Sequence, residues 1–453
     1  MSPVTPSRRG LRPLREWAIR RRATQRALRR LVRRAARLVT TRPGHRVHLL
    51  QGGAELFPAM VEAMDGARRE VRLETYIFWQ DEAARLIVDA LVRAAERGVS
   101  VSLLADGVGT PQLPAAWANR LSAAGVRWRL YKPGGAWLRW LSLLRPSRWR
   151  RLHRKLCLID GEIVFCGGIN ILDDRMDPNH GPLDAPRFDF AVRVQGPLVT
   201  VAREAMMQIW WRWQPEDGLR DERSHRHLTR RLESDAKTTA QRGGSALRPV
   251  EDASSARAAL LLRDNLLHRR HIEHAYRRAI RAAREEIIIA NAYFLPGRKL
   301  RQALIEAARR GVHVRLLLQG RYEYFMQYHA VRTVYGSLLA AGVEIHEYSA
   351  SFLHAKVAVI DGACLQEGVT PWATVGSSNL DPLSLLLARE ANVVVVDAAF
   401  ATELRERLLE AMRKGGRVVV TDDFARRPWR QRFLDRLALG AVRVALFLLG
   451  QKY

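Results

Sequence analysis

A chain of 453 residues is long for one domain and comfortable for two. Its 75 Lys plus Arg against 46 Asp plus Glu give a formal charge of +29, which favours nucleic acid or anionic lipid as partners; a source genome biased towards Arg and Ala codons would produce part of that excess. Three cysteines, Cys157, Cys166 and Cys364, lack C-x-x-C spacing, which argues against a zinc site and reads as small core residues in a reducing compartment.

Residues 1–45 read as a basic N-terminal arm. Up to Arg42 it carries fourteen Arg and one acidic residue, Glu16, and it lacks the apolar segment of a secretory signal. Arg15 to Val39 suits either a basic helix on an anionic membrane surface or a disordered tail. The first half, 46–214, then alternates. Strands are expected at Val47–Leu50, Glu70–Phe78, Val99–Ala105 and Val126–Tyr131, and helices at Ala54–Ala67, Ala83–Arg97 and Leu113–Ala124. Such alternation predicts α/β layering. Trp137-Leu-Arg-Trp-Leu-Ser-Leu-Leu-Arg, followed by Trp149, is an apolar-basic patch suited to a lipid headgroup layer.

The stretch 153–170, HRKLCLIDGEIVFCGGIN, carries the chemistry. Lys155 to Ile159 is mostly apolar and reads as a buried strand. Asp160-Gly161 is a favoured two-residue hairpin turn, with Glu162 to Cys166 as the returning strand. On that turn Ile159 lies opposite Glu162 and His153 opposite Gly168. Alternation then puts His153, Lys155 and Asn170 on one face, with Gly168 leaving room for a ligand above His153. An imidazole, an ammonium and a carboxamide together suit a phosphoryl group. Asp189 stands ahead of an apolar strand, Phe190 to Val194.

A polar linker, 215–256, shows no apolar periodicity. The second half, 257–425, repeats the first. Arg257–Arg284 is expected to be largely helical. Strands follow at Glu286–Tyr293, Val312–Gln319 and Val343–Tyr348, and helices at Leu300–Arg310 and Thr333–Ala341. Ala94-Ala-Glu-Arg-Gly-Val recurs as Ala307-Ala-Arg-Arg-Gly-Val, and Ala123-Ala-Gly-Val as Ala340-Ala-Gly-Val. The His-Lys-Asp-Asn set returns across 354–379 as His354, Lys356, Asp361 and Asn379, with a longer hairpin loop within 362–371. Glu390 precedes the strand Asn392–Val396. Residues 426–453 close the chain as an apolar-basic segment, too short to span a bilayer and expected to contact its surface.

The pattern H-x-K-x4-D-x6-G-G-x-N, repeated with fourteen residues before Gly376-Ser-Ser-Asn in the second copy, resembles that of the phospholipase D superfamily. The surrounding residues, Ile289-Ala-Asn-Ala-Tyr-Phe and Val375-Gly-Ser-Ser-Asn-Leu-Asp-Pro-Leu-Ser among them, resemble bacterial cardiolipin synthases of the B type. The resemblance spans about Arg46 to Asp423. It implies two duplicated α/β sandwich halves packed around a single active site at their interface. It also implies phosphatidyl transfer from one phospholipid, with phosphatidylglycerol the expected donor, to a hydroxyl of a second, possible acceptors including phosphatidylethanolamine. The enzyme is then expected on the cytoplasmic side of the cell membrane, peripherally bound to its anionic surface, with nucleic acid not its partner. A hydrolytic phospholipase and a nuclease of the same superfamily are the alternatives.

Two histidines suit a two-step displacement through a phosphohistidine. The resemblance makes His153 the nucleophile and His354 the acid/base; the residues alone do not break that symmetry. Lys155 and Lys356 would balance the non-bridging oxygens and Asn170 and Asn379 donate to them, so neither metal nor cofactor is required. The resemblance places Asp160 and Asp361 among the catalytic residues, although both start turns, where Asp serves local purposes. Asp189 and Glu390 are the better partners to orient imidazoles. His268, His271 and His274 recur every three residues, interleaved with Arg, and read as a solvated helix face. Glu74, Tyr76, Asn291 and Tyr293 occupy matching strand ends and either line the pocket or belong to the framework.

Overall fold

A computed structural model of the chain describes residues 40–133, 151–212, 255–264, 268, 270–322, 325–363 and 368–448. The arm before residue 40, the Trp patch at 137–149, nearly all of the linker, Cys364 and residues 449–453 lie outside them.

The first half contains β1 (Arg42–Gln51), β2 (Glu70–Thr75), β3 (Ser100–Asp106), β4 (Arg127–Tyr131), β5 (Lys155–Ile159), β6 (Ile163–Gly167), the short pair β7 (Met176–Asp177) and β8 (Gly181–Pro182), and β9 (Phe190–Gln195). The second contains β10 (Ala256–Arg263), β11 (Glu286–Asn291), β12 (His313–Gln319), β13 (Glu344–Tyr348), β14 (Lys356–Ile360), β15 (Trp372–Gly376), β16 (Glu390–Val396) and β17 (Gly416–Val418). The order β1-β9-β6-β5-β2-β3-β4 repeats as β10-β16-β15-β14-β11-β12-β13, and β1 meets β10 at the centre of one 15-stranded arrangement. The duplication is therefore complete at the level of strand order.

Each half combines a parallel unit with a buried hairpin. The helix Glu82–Glu96 crosses from β2 to the parallel strand β3. Ala84, Ile87, Val88 and Leu91 follow a helical stripe and are fully buried. Asp81 caps it by accepting from the Ala84 N–H at 2.9 Å. It ends at Gly98, whose φ of +86° turns the chain into β3; Gly311, at +90°, does the same after Arg298–Arg309. The echo Ala-Ala-x-Arg-Gly-Val is thus one helix stop used twice.

The halves also share a core. Leu156, Leu158, Val164, Val192 and Val194 pack in one cluster with Val357, Val359, Val375, Val393 and Val395. Strands β5, β6 and β9 therefore bury a face against β14, β15 and β16.

Three expectations need correction. Arg257–Arg284 is not helical throughout. Ala256–Arg263 is β10, paired with β16 along its length, and the helix starts only at His271. Ala and Leu favour helix, but a place between two strands at the join overrides local propensity. The first hairpin turn holds three residues, Asp160 to Glu162, so Ile159 faces Ile163 and Lys155 faces Gly167, a shift of one. Asp160 and Asp361 sit at the hairpin tips, away from the histidines, both at positive φ. Asp160 accepts from the N–H groups of Arg68, Arg69 and Glu70, and Asp361 from those of Arg284, Glu285 and Glu286. Their carboxylates tie each hairpin to the start of its neighbouring strand, which leaves them no catalytic reach.

The C-terminal segment is the helix Trp429–Leu448, packed on Phe325–Leu339. Asp435 is buried in that contact, meeting His329 at 2.8 Å and Arg427 at 2.9 Å. No helix of the described residues is long and apolar enough to cross a membrane.

Candidate active site

The two His-Lys pairs meet at the seam and are cross-wired. His153 Nδ1 lies 3.0 Å from Glu390 Oε1, and His354 Nδ1 lies 2.7 Å from Asp189 Oδ2. Each imidazole is therefore oriented by a carboxylate from the other half. The backbone repeats the exchange. The His153 N–H donates to Arg389 O at 3.0 Å, and the His354 N–H donates to Phe188 O at 2.9 Å. Short bridges, Leu152 with Arg389 and Phe188 with Leu353, stitch the two chains of residues into place. Neither half alone holds its own histidine.

The lysines lie beneath the rings. Lys155 is 6 % exposed and donates to His153 O at 2.8 Å; Lys356 is fully buried and donates to His354 O. Burial pushes Lys155 down to about 7, with Lys356 adding to the effect and Glu390 opposing it. Burial also lowers His153, although the Glu390 charge raises it again. His354 is held well below its ordinary value by burial, and then by the charges of Lys356, Lys155 and Arg187. Burial pushes Asp189 up to about 7 against the attraction of Lys356.

Asn170 and Asn379 sit at the same seam, both buried. Asn170 Oδ1 accepts from the Ile77 N–H at 3.2 Å, which leaves its amide donors for a ligand. Asn379 Oδ1 has no partner among the described residues.

Gly168 serves a different end from the one expected. A Cβ there would collide with the Asp189 carboxylate, so the glycine makes room for the group that orients His354, not for a ligand. Its counterpart, Ser377, instead donates from Oγ to Glu390 Oε2 at 2.5 Å. Pattern reading missed this hydroxyl; the replacement of Gly-Gly by Gly-Ser in the second copy was the available signal.

The strand-end residues separate into two kinds. Glu74 is buried against Arg154, and Asn291 Oδ1 accepts from the Leu380 N–H at 3.0 Å; both are framework. Tyr76 lines the site, its ring centroid 4.9 Å from that of His153. The matching is also displaced by one: β2 and β11 align Glu74 with Ala290, because these face Leu156 and Val357. His268 pairs with Asp264 at 3.0 Å and meets the His271 ring edge to face. Among the described residues, no group of three or more His, Cys, Asp or Glu could hold a metal ion.

Two imidazoles brought to one seam, each with a buried lysine beside it, can carry a phosphodiester through double displacement. The profile of a family described as cardiolipin synthase, PLD-like domain, matches residues 60–181 and 276–412. Cardiolipin synthase B of Salmonella typhi is 37 % identical over 376 residues, which is 81 % of this chain and 80 % of the relative. Cardiolipin synthase A of Pseudomonas syringae is 28 % identical over 80 % of this chain and 68 % of its own. In fold, the chain is similar to phosphatidylserine synthase of Haemophilus influenzae, with a TM-score of 0.62 at 12 % identity over 92 % of this chain and 97 % of that one.

Glu390→Gln should leave thermal unfolding unchanged yet cut turnover of a phosphodiester such as bis(p-nitrophenyl) phosphate by about a hundredfold or more; wild-type turnover would remove the orienting role. The Lys155 value has a worked sign. Between about 7 and the free lysine value near ~10.4, the unfolded chain holds a proton that the folded chain lacks. In that window the group's contribution to stability rises with pH while its cation is lost. Hence kcat/KM should fall as pH passes about 7, and the urea midpoint of wild type should gain on Lys155→Met. A kcat/KM flat from pH ~6 to ~9 would contradict this.

Proposed function

We propose that this chain, which belongs to the family of cardiolipin synthases with phospholipase D-like domains, is a phosphatidyltransferase that makes cardiolipin. It moves a phosphatidyl group from phosphatidylglycerol to a hydroxyl of a second phospholipid. The observation that carries this is the crossed pair of His-carboxylate contacts over two buried lysines.

The surroundings of the two rings support different roles. Glu390 accepts from Ser377 Oγ and faces His153 Nδ1, which puts the ring's proton on Nδ1 and its lone pair on Nε2. His153 is then the nucleophile. Asp189, raised to about 7, can hold a proton towards His354 Nδ1, so that the neutral ring carries its own on Nε2. His354 is then the acid. It gives its Nε2 proton to the departing glycerol oxygen while its Nδ1 takes the proton held by Asp189, the P–O bond breaks and the P–N bond to His153 forms. In the second step the acceptor hydroxyl gives its proton to His354, its oxygen bonds to phosphorus, and the P–N bond breaks. Lys155, Lys356, Asn170 and Asn379 hold the non-bridging oxygens throughout.

The substrates lie in a bilayer, and the outer face of the helix Trp429–Leu448 suits its surface. Trp429, Phe433, Leu437 and Val444 are more than half exposed and share one side of the helix. Exposed Arg430, Arg436 and Arg443 flank them. Apolar side chains with arginines at the margin fit the headgroup boundary of an anionic leaflet, and the basic charge of the chain suits the cytoplasmic side.

Labelled phosphatidylglycerol vesicles, with and without phosphatidylethanolamine, should yield cardiolipin and glycerol identified by mass. An acid-labile phosphatidyl adduct should form on wild type and be absent from His153→Asn. Phosphatidic acid as sole product would replace synthase by hydrolase, and cleavage of single-stranded DNA without lipid turnover would favour a nuclease. Replacing Phe433 and Leu437 by Ser should weaken sedimentation with anionic vesicles about tenfold; undiminished binding would clear this face of the role.

A further inference from the structure

A duplicated site presents two equivalent sides to phosphorus, yet the transfer needs a donor side and an acceptor side. Arg187 is one of the residues that break the equivalence; on the other side Arg263, opposite Glu390 in the sheet, is 2 % exposed and donates to Ala388 O. Phe188 and Arg389 occupy matching places, as do Asp189 and Glu390, so Arg187 matches Ala388. Arg187 belongs to an extended segment two residues before Asp189, which places their side chains on the same side. It enters from the loop bearing β7 and β8, whose backbone also receives the Arg187 N–H at Asp174 O, 2.8 Å away.

The guanidinium is fixed but not used up. Its side chain is 10 % exposed, and Nη2 alone donates, to Asp177 Oδ2 at 2.8 Å and to Met176 O at 3.2 Å. Nε and Nη1 have no partner among the described residues. Asp177 also meets His180 Nδ1 and accepts from the N–H groups of Asn179 and His180, so the loop holds the arginine from behind. By contrast, Arg151 and Arg154, on the His153 side, are spent on the buried carboxylates of Asp106 and Glu74. The field of Arg187 reaches the His354 ring.

We infer that Arg187 binds the phosphodiester of the acceptor phospholipid, beside His354, and so defines the acceptor side of the site. This rests on the synthase reading above. The acceptor arrives where the first leaving group departed, which is the side of the acid/base. Its hydroxyl oxygen attacks phosphorus, the P–Nε2 bond to His153 returns its electron pair to the ring, and the hydroxyl proton passes to His354 Nε2. The acceptor's own phosphate lies a glycerol length from that hydroxyl and carries one negative charge that water and free glycerol lack. A planar fork with donors to spare matches it.

The test partitions products within one sample. Phosphatidylglycerol vesicles are incubated with labelled glycerol, and cardiolipin, glycerol-exchanged lipid and phosphatidic acid are measured together. Arg187→Gln should lower the ratio of cardiolipin to phosphatidic acid about tenfold, with exchange into glycerol changed less than about twofold. Arg187→Lys should recover part of the ratio. Asp177→Asn, which disturbs the loop but keeps the guanidinium, should keep most of it. Equal loss of cardiolipin and glycerol exchange, or an unaltered ratio in Arg187→Gln, would overturn the inference alone. A wild type that makes phosphatidic acid and no cardiolipin would overturn both this and the synthase reading.

Discussion

Everything at the seam depends on each imidazole being held by a carboxylate from the opposite half. Had Asp189 served His153 and Glu390 served His354, each half could have kept its own ring in place. Crossing the contacts makes the interface part of the site. It also explains why the shared core is so apolar. Moving an ammonium into the interior costs several kcal/mol even after relaxation, and a hydrogen bond to a carbonyl returns about 1. Lys155 and Lys356 are both buried, so their positions are a charge to stability. The valine-rich faces of β5, β6 and β9 against β14, β15 and β16 offset it.

Duplication gives a site two equal sides, and chemistry needs them unequal. The inequality arises from few residues. At one place Gly168 gives way to the Asp189 carboxylate, while its counterpart Ser377 donates to Glu390. At another, Arg187 stands where the second half has Ala388. Asp189 is shorter than Glu390, and burial pushes it up to about 7. The strand order, the lysines and the asparagines remain duplicated. Arg263, opposite Glu390 in the sheet and donating to Ala388 O, adds a further difference on the His153 side.

Much of this was legible in the sequence because it lies within a few residues. His153 with Lys155, and His354 with Lys356, share a strand face by simple alternation. The carboxylates Asp189 and Glu390 could be picked out as residues ahead of apolar strands, although nothing local says that each serves the other half's ring. The one-residue error in the hairpin came from treating Asp160-Gly161 as the whole turn, when Glu162 belongs to it. Such a slip moves every facing residue by one. β10 was hidden because its Ala and Leu residues suit a helix equally well, and only its place between β1 and β16 decides. Arg187 carried no signal among so many arginines; its meaning comes from a spacing of two to Asp189 and from the loop that holds it.

How such a site favours a lipid hydroxyl over water follows from what it must admit. The imidazole side chains remain 17 % and 19 % exposed, so the rings are reachable. Any opening that admits a glycerol headgroup admits water as well, and exclusion alone cannot separate them. Selection has to come from holding the larger acceptor in place, where orientation can make a hydroxyl act at an effective concentration far above that of bulk solvent. A membrane-facing helix would raise the local supply of acceptors, and a cation beside His354 would fix the one that enters. The same chemistry with neither aid would deliver the phosphatidyl group to water.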